Sequence, residues 1–273
     1  MNFIKLYLRE IQHLKSYMLI LVLVMLASFS VYFFLDEPTI ARIGDEDHLF
    51  EYLTSLSFLI CSAIFLYICF KNRNFIFFLL AIAFFIGFGE EISWGQRILG
   101  FSTPESLMEI NAQEEFNFHN IMTWEINFVF KVFTLMFGIV LPFLVYHFRF
   151  FKSLSMKLRI PVPPISLGIF FMADWLVFRF FLDFVLHPGG VPKYYFSVTE
   201  IYEFITSFIM LVISLYFLHY RHLGFGADIK DNLDYLESEK VEMNEFKPVL
   251  IYSVSRLMKV AHKQLTFVFH KTA

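Results

Sequence analysis

The sequence predicts an all-α, polytopic membrane protein: a bundle of about six transmembrane helices with both termini in the cytoplasm. Three observations support this fold class. Hydrophobic residues make up 58% of the 273 residues and charged residues only 17%, with a mean hydropathy of +0.61. A soluble domain does not tolerate so apolar a surface. The apolar residues also fall in separate long runs, and the loops between these runs alternate in charge.

Each apolar run is close to the ~20 residues that a helix needs to cross about 30 Å of hydrocarbon. The first run is too long for the apolar region of a signal peptide and has no clear small-residue cleavage site, which predicts a retained helix. The predicted spans are residues 17–35, 53–70, 75–92, 121–146, 165–186 and 201–220.

Basic residues in alternate connections predict the orientation. The segment before the first span, the turn "KNRN" and the connection "HFRFFKSLSMKLR" are basic. By the positive-inside rule these connections face the cytoplasm. The remaining loops are acidic or mixed in charge, so they should face outward, including the long loop at 93–120. We therefore expect a multi-pass protein of a bacterial inner (plasma) membrane.

No internal repeat or low-complexity linker divides the chain, which predicts one bundle with terminal attachments. The two terminal segments mix apolar residues with Lys, Arg and His at helical spacing. Such segments either lie on the inner membrane surface or pack on the cytoplasmic ends of the bundle. The predicted organisation is a cytoplasmic amphipathic segment at 1–16, a transmembrane domain at 17–221 with an outer interfacial helix near 103–113, and a cytoplasmic connector with an amphipathic C-terminal helix at 222–273.

The stretch "GEEISWGQR" at 89–97 places two glutamates directly after the apolar run "FIFFLLAIAFFIGF". If the helix continues through this stretch, Glu90, Trp94 and Arg97 share one face, and Glu91 points about 100° away. In a structural interpretation, Arg97 neutralises Glu90 and Trp94 anchors the helix at the membrane interface.

Further polar residues are predicted on the same side of the membrane. Glu115 and His119 are four residues apart and would share a helix face, while Asp174 lies deeper, near the middle of its span. Ionisable residues inside membranes are costly and usually line cavities or pathways, so we expect an outward-facing polar cavity. The remaining residues of this predicted cavity are Asn111, Gln113, Asn117, Asn120, Glu125, Arg179, Asp183, His187, Glu200 and Glu203.

Two kinds of chemistry fit these side chains. Glu91, Glu115, His119 and His187 offer the oxygen and nitrogen ligands that suit a divalent metal such as Zn, Mn or Fe, although no H-E-x-x-H or paired Glu-x-x-His motif is present. In a metal-free alternative, Glu90 or Glu91 acts as general base and His119 as its proton partner. Glu90, Glu91 and His119 are therefore the predicted catalytic residues.

The predicted substrate is a lipid or a lipid-linked anion, because a head group at the outer boundary would meet these residues while its tails stay among Phe-rich helices. We expect hydrolysis or group transfer on that substrate, with membrane lipid as the partner. The absence of a Walker loop, a dinucleotide glycine pattern and a basic recognition motif argues against nucleotide chemistry and nucleic-acid binding. The predicted substrate-binding residues are Trp94, Gln96, Arg97, Asn111, Gln113, Asn117, Asn120 and Arg179.

Two other functions remain open. The first is a proton-coupled transporter with ionisable groups along its pathway; Arg179 and Asp183, four residues apart, are alternatively a neutralising pair. The second is a non-catalytic accessory subunit, in which the 89–97 block is a conformational lock or a docking surface for a membrane protein partner. The pathway and supporting residues would be Glu125, Asp174, Arg179, Asp183, Glu200 and Glu203.

The run "GEEISWGQRILGFSTPESLMEINAQEEFNFHN" resembles a block found in uncharacterised bacterial multi-pass membrane proteins, with the pattern G-E-E-I-S-W-G-Q-R, T-P-E and N-x-Q-x-E-x-N-x-H-N. That family has no assigned activity, so the resemblance implies a shared outer-face site without naming its chemistry. The matching residues are Glu90, Glu91, Trp94, Gln96, Arg97, Asn111, Gln113, Glu115, Asn117, His119 and Asn120.

A weaker similarity is to the CAAX-type intramembrane proteases, whose first motif is E-E-x-x-x-R, followed by separate motifs that contain His. Here five residues separate Glu91 from Arg97, and "FNFHN" lacks the F-x-x-x-H spacing. These departures argue against peptidase activity.

Overall fold

The computed structural model describes residues 3–43, 48–108, 111, 116–118, 121–185 and 195–220. All regular elements in this part of the chain are helical, which confirms the predicted all-α class. The helices are α1 (Phe3–Phe34), α2 (Glu37–Ile43), α3 (Leu49–Asn72), α4 (Phe75–Glu91), α5 (Gln96–Leu99), α6 (Glu105–Met108), α7 (Thr123–Leu135), α8 (Leu141–His147), α9 (Arg149–Leu158), α10 (Ile165–Phe180) and α11 (Tyr195–His219).

Within the described residues, five helical stretches are long and apolar enough to cross a membrane, which makes the chain a multi-pass membrane protein. The predicted third span corresponds to α4, which has 17 residues. That length is at the lower end of the range for a spanning helix, ~17 to 25 residues, so a sixth span stays a prediction. The five stretches are Tyr7–Phe34, Leu49–Asn72, Phe128–His147, Ile165–Val185 and Ser197–His219.

The N-terminal region forms one helix with the first span. α1 runs from Phe3 to Phe34 without a break, so no structural boundary marks the predicted division after residue 16. Within the loop at 93–120, the predicted interfacial helix near 103–113 corresponds to the single turn of α6, and Asn111 is not helical. The predicted connector and C-terminal helix at 222–273 lie outside the described residues.

Two of the spans contain a π-helical turn. α7 continues into α8 through Met136–Val140, and α10 continues through Phe181–Val185. Pro142 follows the first of these turns as the second residue of α8. Because proline has no backbone N–H and its ring displaces the preceding turn, a regular α-helical ladder cannot pass through this point.

α3 and α4 form a helical hairpin, and the Asn74 side chain holds its turn. Arg73 has a left-handed backbone, with φ 49°. The Asn74 side chain accepts a hydrogen bond from the Ile76 N–H at 3.0 Å, which caps the start of α4. Its amide also donates to the Arg159 carbonyl oxygen at 2.8 Å. Asn74 therefore joins the α3–α4 turn to the connection between α9 and α10.

Aromatic rings fill the core between this hairpin and α11. The Phe77 ring centroid lies 5.8 Å from that of Phe65 and 5.6 Å from that of Phe217, in tilted and edge-on geometries that aromatic pairs favour. α11 also contacts α10, and α1 contacts both. These contacts place α11 at the centre of the bundle, where most of its side chains are buried.

α10 approaches the π-helical turn of the α7–α8 span through two glycines. A Cβ atom on Gly168 would overlap the Gly138 carbonyl oxygen, and a Cβ on Gly138 would lie 2.7 Å from the Phe171 ring. Small residues at such a crossing let two helix backbones touch, which is a common way to pack helices in membranes.

The two ends of the bundle differ in charge. We call the end where α4 finishes and α3 and α11 begin the acidic end, because it carries Glu90, Glu91, Glu51, Glu200 and Glu203. We call the opposite end the basic end; it carries the α3–α4 turn, α9 and the start of α10, with Lys71, Arg73, Arg149, Lys152, Lys157 and Arg159.

Candidate functional site

The chain leaves the helix directly after the two glutamates. Ser93, Trp94 and Gly95 have φ values of 45°, 53° and 77°. Three consecutive left-handed residues end the helix before Arg97, so the condition under which Glu90, Trp94 and Arg97 would share one helix face is not met. Only glycine adopts this backbone readily, so Ser93 and Trp94 must be held there by other contacts.

Glu90 supplies two of these contacts. The Trp94 indole Nε1–H donates to Glu90 Oε1 at 2.7 Å, and the Phe118 backbone N–H donates to Glu90 Oε2 at 2.7 Å. The indole lies against Gly89, where a Cβ atom would come within 2.8 Å of the ring. Glu90 and Trp94 therefore meet across a turn and not along a helix face. Both carboxylate oxygens of Glu90 thus hold the loop that follows α4.

Gln96 binds the same loop at two further points. Its side-chain amide donates to the Thr103 hydroxyl at 2.7 Å, and its carbonyl oxygen accepts from the Phe116 N–H at 2.7 Å. These contacts join α5 to segments seven and twenty residues further along the chain. The two contacts of Gln96 shape the loop. Substrate binding by Gln96 stays a prediction.

Asn111 and Asn117 complete the network. The Asn111 amide donates to the backbone carbonyl of Asn117 at 3.0 Å, and the Asn117 amide donates to the Ser93 hydroxyl at 3.2 Å. Both asparagines are buried. Buried amides are expected to have partners, and here the partners belong to the loop and to the turn after α4. The hydrogen bond from Asn117 thereby holds the Ser93 side chain in place.

Glu91 faces a different environment from Glu90. It is half-buried and interacts electrostatically with Glu203, Glu200, Glu51 and Glu90. Glu200 and Glu203 lie on α11 and Glu51 lies on α3, so three helices bring carboxyl groups together. We call Glu91, Glu203, Glu200 and Glu51 the acidic cluster. The convergence of Glu91 with α11 was expected, whereas Glu51 was missed because it lies in a stretch assigned to the preceding acidic loop.

Asp174 is completely buried in the middle of the bundle. Its Oδ2 atom accepts a hydrogen bond from the Thr206 hydroxyl at 2.9 Å, and its Oδ1 atom has no hydrogen-bond partner in the described part of the chain. Asp174 lies about 14 Å along α10 from its first residue, by the 1.5 Å rise per residue. The predicted depth of Asp174 is consistent with this position.

Tyr202 interacts electrostatically with both Asp174 and Glu203, and also interacts with Thr206. Glu203 in turn interacts electrostatically with Glu91. Sequence reasoning missed Tyr202 and Thr206, although their spacing of four residues places them on one face of α11.

Lys131 also lies beside this series, with its Nζ atom 5.8 Å from the Tyr202 ring centroid. Sequence reasoning missed it as well. The sequence signal for Lys131 was its position as a single basic residue inside the apolar run that forms α7. A lysine at this distance from an aromatic ring makes a cation–π contact, so a positive charge lies beside Tyr202.

Glu10 is a second completely buried acid, near the basic end. Its Oε1 atom accepts a hydrogen bond from the Ser166 N–H at 2.7 Å, at the start of α10. Within the described residues, Glu10 Oε2 and the Ser166 hydroxyl have no hydrogen-bond partner. A carboxyl group at a helix N-terminus is favourably placed. The sequence signal was that Glu10 is the only acidic residue before Asp36.

Arg179 and Asp183 form the neutralising pair that their spacing indicated. The guanidinium Nη2 atom lies 2.8 Å from Asp183 Oδ2, and the side chains are 46% and 39% exposed. Arg179 therefore pairs with a residue of its own span. Glu125, another predicted site residue, is exposed at the start of α7. Neither Arg179 nor Asp183 contributes a described contact to the acidic cluster.

Several predicted site residues lie outside the described part of the structure. These residues are Gln113, Glu115, His119, Asn120 and His187, together with the side chain of Arg97. Among the described residues, no group of three His, Cys, Asp or Glu side chains is arranged to hold a metal ion. Three of the four predicted metal ligands are outside that set, so metal binding stays a prediction.

The helices and the buried acids define the class of protein: an all-helical, multi-pass membrane protein with ionisable side chains inside its bundle. Comparison with known proteins goes no further, because the chain matches no protein-family model, no curated protein and no solved structure. Function has to be argued from the site itself.

Proposed function

We propose that the protein is a proton-translocating membrane transporter in which protons pass between the acidic cluster and Asp174. The observation that carries this proposal is the buried Asp174–Thr206 pair, with a 2.9 Å hydrogen bond on one carboxyl oxygen and no described partner on the other. Ionisable residues within membranes typically mark ion pathways and proton relays. Tyr202 and Glu203 supply intermediate groups between this pair and Glu91.

The depth of the buried acids supports a path through the bundle. The acidic cluster lies at one end, Asp174 lies in the middle, and Glu10 lies near the basic end. Ser166, which binds Glu10, lies eight positions before Asp174 in α10, or about 12 Å along the helix axis. That distance is too long for direct proton transfer, so this half of the path requires bridging water. In the proposed proton path, Tyr202 and Thr206 take the roles for which the sequence predicts Asp183 and Glu125.

Proton flux into proteoliposomes tests this function. The purified protein is reconstituted in vesicles that contain a pH-sensitive dye, and a potassium diffusion potential drives protons inward. Asp174→Asn should abolish the flux, because the amide keeps the shape of the side chain but cannot carry a proton. Asp183→Asn is the matched control, since Asp183 is an exposed acid on the same span. Flux that survives Asp174→Asn, or wild-type flux equal to that of protein-free vesicles, would contradict the proposal.

A second candidate function is hydrolysis or group transfer on a lipid or lipid-linked anionic substrate. The observation that favours it is the contrast between the adjacent glutamates: Glu90 accepts two hydrogen bonds from the loop, and Glu91 faces other carboxyl groups. Two carboxyl groups in different surroundings can divide the roles of acid and base. Glu91 would be the general base, with His119 as proton partner and Arg97 binding the anionic group.

Lipid and elemental mass spectrometry on protein in mild detergent tests the enzyme. A co-purified lipid phosphate or a stoichiometric metal should be lost from a Glu91→Gln, His119→Ala variant and retained by Glu105→Gln, an exposed residue of α6. An identical lipid and metal content in wild type and both variants would remove this candidate and leave the transporter.

The sidedness of the site belongs to the same proposal. We place the acidic end outside the cytoplasm of a bacterial cell, because the opposite end carries the basic connections. Reporter fusions after residue 73 and after residue 118 test this placement. The fusion at 73 should report the cytoplasm and the fusion at 118 the outside; the reverse pattern would invert the orientation.

A further inference from the structure

α9 is a short helix that connects two spanning stretches at the basic end. The preceding stretch ends at His147 and the next begins at Ile165. Between α8 and α9, Phe148 has an extended backbone with φ −122° and ψ 120°, which ends one helix before the next begins. The chain therefore leaves one apolar stretch, forms α9 and enters the next, so α9 lies at the level of the membrane interface.

One face of α9 is apolar and exposed. Phe150, Leu154 and Leu158 follow one another at intervals of four residues, so they form a stripe along the helix. All three are exposed, with Phe150 at 69%. The helix packs on the rest of the protein through another face, where Ser155 is buried.

A second exposed face is basic. Arg149, Ser153 and Lys157 follow one another at the same interval of four residues and are all exposed. This stripe runs beside the apolar stripe, about 100° away around the helix. α9 thus has three faces: one against the protein, one apolar and one basic. A helix with an apolar face and a basic face is typical of segments that lie in the membrane interface.

The charge of the surrounding sequence identifies the partner. No acidic residue occurs in the sequence between Glu125 and Asp174. The α3–α4 turn and residues 248–271, which are assigned to this side, are basic as well, so neither complements Arg149 and Lys157. The connector at 222–247, assigned to the same side, is acidic, but its sequence has no continuous apolar run that could cover the apolar stripe. Anionic lipid supplies both missing parts: phosphate groups for the basic stripe and acyl chains for the apolar stripe.

We propose that α9 lies along the membrane surface and binds anionic phospholipid, with Phe150, Leu154 and Leu158 among the acyl chains and Arg149 and Lys157 on the phosphate groups. This surface is separate from the acidic cluster, and its failure would leave the proposed transport function untouched.

The depth of α9 is tested with a fluorescent label on single cysteines. Leu154→Cys and Ser153→Cys are compared in a Cys69→Ser background, because the other native cysteine, Cys61, is buried. Both variants are reconstituted in vesicles with spin labels either in the acyl chain or on the head group. Acyl-chain quenching should be strong at position 154 and weak at 153. Equal quenching at the two positions, or no quenching at 154, would overturn the proposal.

Lipid selectivity is tested by native mass spectrometry of the full chain with phosphatidylglycerol or phosphatidylcholine. Wild type should bind phosphatidylglycerol preferentially, and each basic residue removed in Arg149→Gln, Lys157→Gln should weaken that binding roughly fivefold. The control Lys71→Gln, Arg73→Gln removes the same charge from the same end of the bundle. An equal loss in both double variants, or no preference in wild type, would contradict a binding site on α9.

Discussion

Glu90 and Trp94 are joined by a 2.7 Å hydrogen bond across a turn in which Trp94 has a φ of 53°. The same carboxylate holds the Phe118 N–H. One glutamate at the end of an apolar helix therefore fixes both the turn and the loop that follows. This relationship accounts for one of the two adjacent glutamates and separates its role from that of Glu91.

Glu90→Gln should loosen the loop. The amide places an NH₂ group where one carboxylate oxygen now accepts from an N–H donor, so at least one hydrogen bond is lost at a cost of about 1 to 3 kcal/mol. Limited proteolysis between residues 92 and 118 should become faster, and the melting temperature in detergent should fall. Glu105→Gln is the control. Unchanged proteolysis would mean that Glu90 does not hold the loop.

Gly168→Ala should prevent normal packing of α10. The added Cβ would overlap the Gly138 carbonyl oxygen, which is backbone and cannot rotate away. Overpacking costs typically about 1 to 3 kcal/mol and more where nothing can relax. Gly87→Ala is the control, because its Cβ would meet only the Phe58 side chain, at 3.1 Å. Equal thermal stability of the two variants would refute the close approach of the two backbones.

Thr206→Val should destabilise the folded protein by about 1 to 3 kcal/mol, because it removes the hydroxyl that donates to Asp174 inside the bundle. Combining Thr206→Val with Asp174→Asn forms a double-mutant cycle. We expect a coupling of about 0.5 kcal/mol or more between the two changes. Additive effects would show that the two side chains act independently. Ser214→Ala, which removes another hydroxyl from α11, is the control.

Glu10→Gln and Glu10→Ala should differ. Glutamine retains an oxygen that can accept from the Ser166 N–H, whereas alanine leaves this N–H at the start of α10 without its partner. The alanine variant should lose about 1 kcal/mol of stability relative to glutamine. If Glu10 also belongs to the proton path, both variants should lower proton flux in proteoliposomes. Normal flux in the glutamine variant would restrict Glu10 to capping α10.

Much of the fold follows from hydrophobicity alone, because apolar runs near spanning length can hardly be anything other than membrane helices. The same reasoning placed Glu91 and Glu203 at one end of the bundle. It could not give the turn after Glu91, since a helical pattern contains no signal for left-handed Ser93 and Trp94. That conformation is decided by hydrogen bonds that Glu90 accepts and that Asn117 donates, two residues distant from one another in sequence.

Two of the polar groups missed from the sequence are unremarkable by residue type. Threonine and tyrosine are common in membrane helices, so Thr206 and Tyr202 gain meaning only once packing brings Asp174 beside them. Glu10 lies before the predicted first span, and its burial and its hydrogen bond with the Ser166 N–H place it inside the bundle. Tertiary contact, not local pattern, assigns these residues to the site.

The Gly138–Gly168 crossing has a mechanical consequence. Helices whose backbones touch cannot slide along each other without a clash, although they can still tilt about the point of contact. The crossing therefore acts as a fulcrum for α10 and the α7–α8 span. Asp174 lies six residues beyond Gly168, about 9 Å along α10, so any rocking of this helix would swing the buried acid toward or away from Thr206 while the pivot stays fixed.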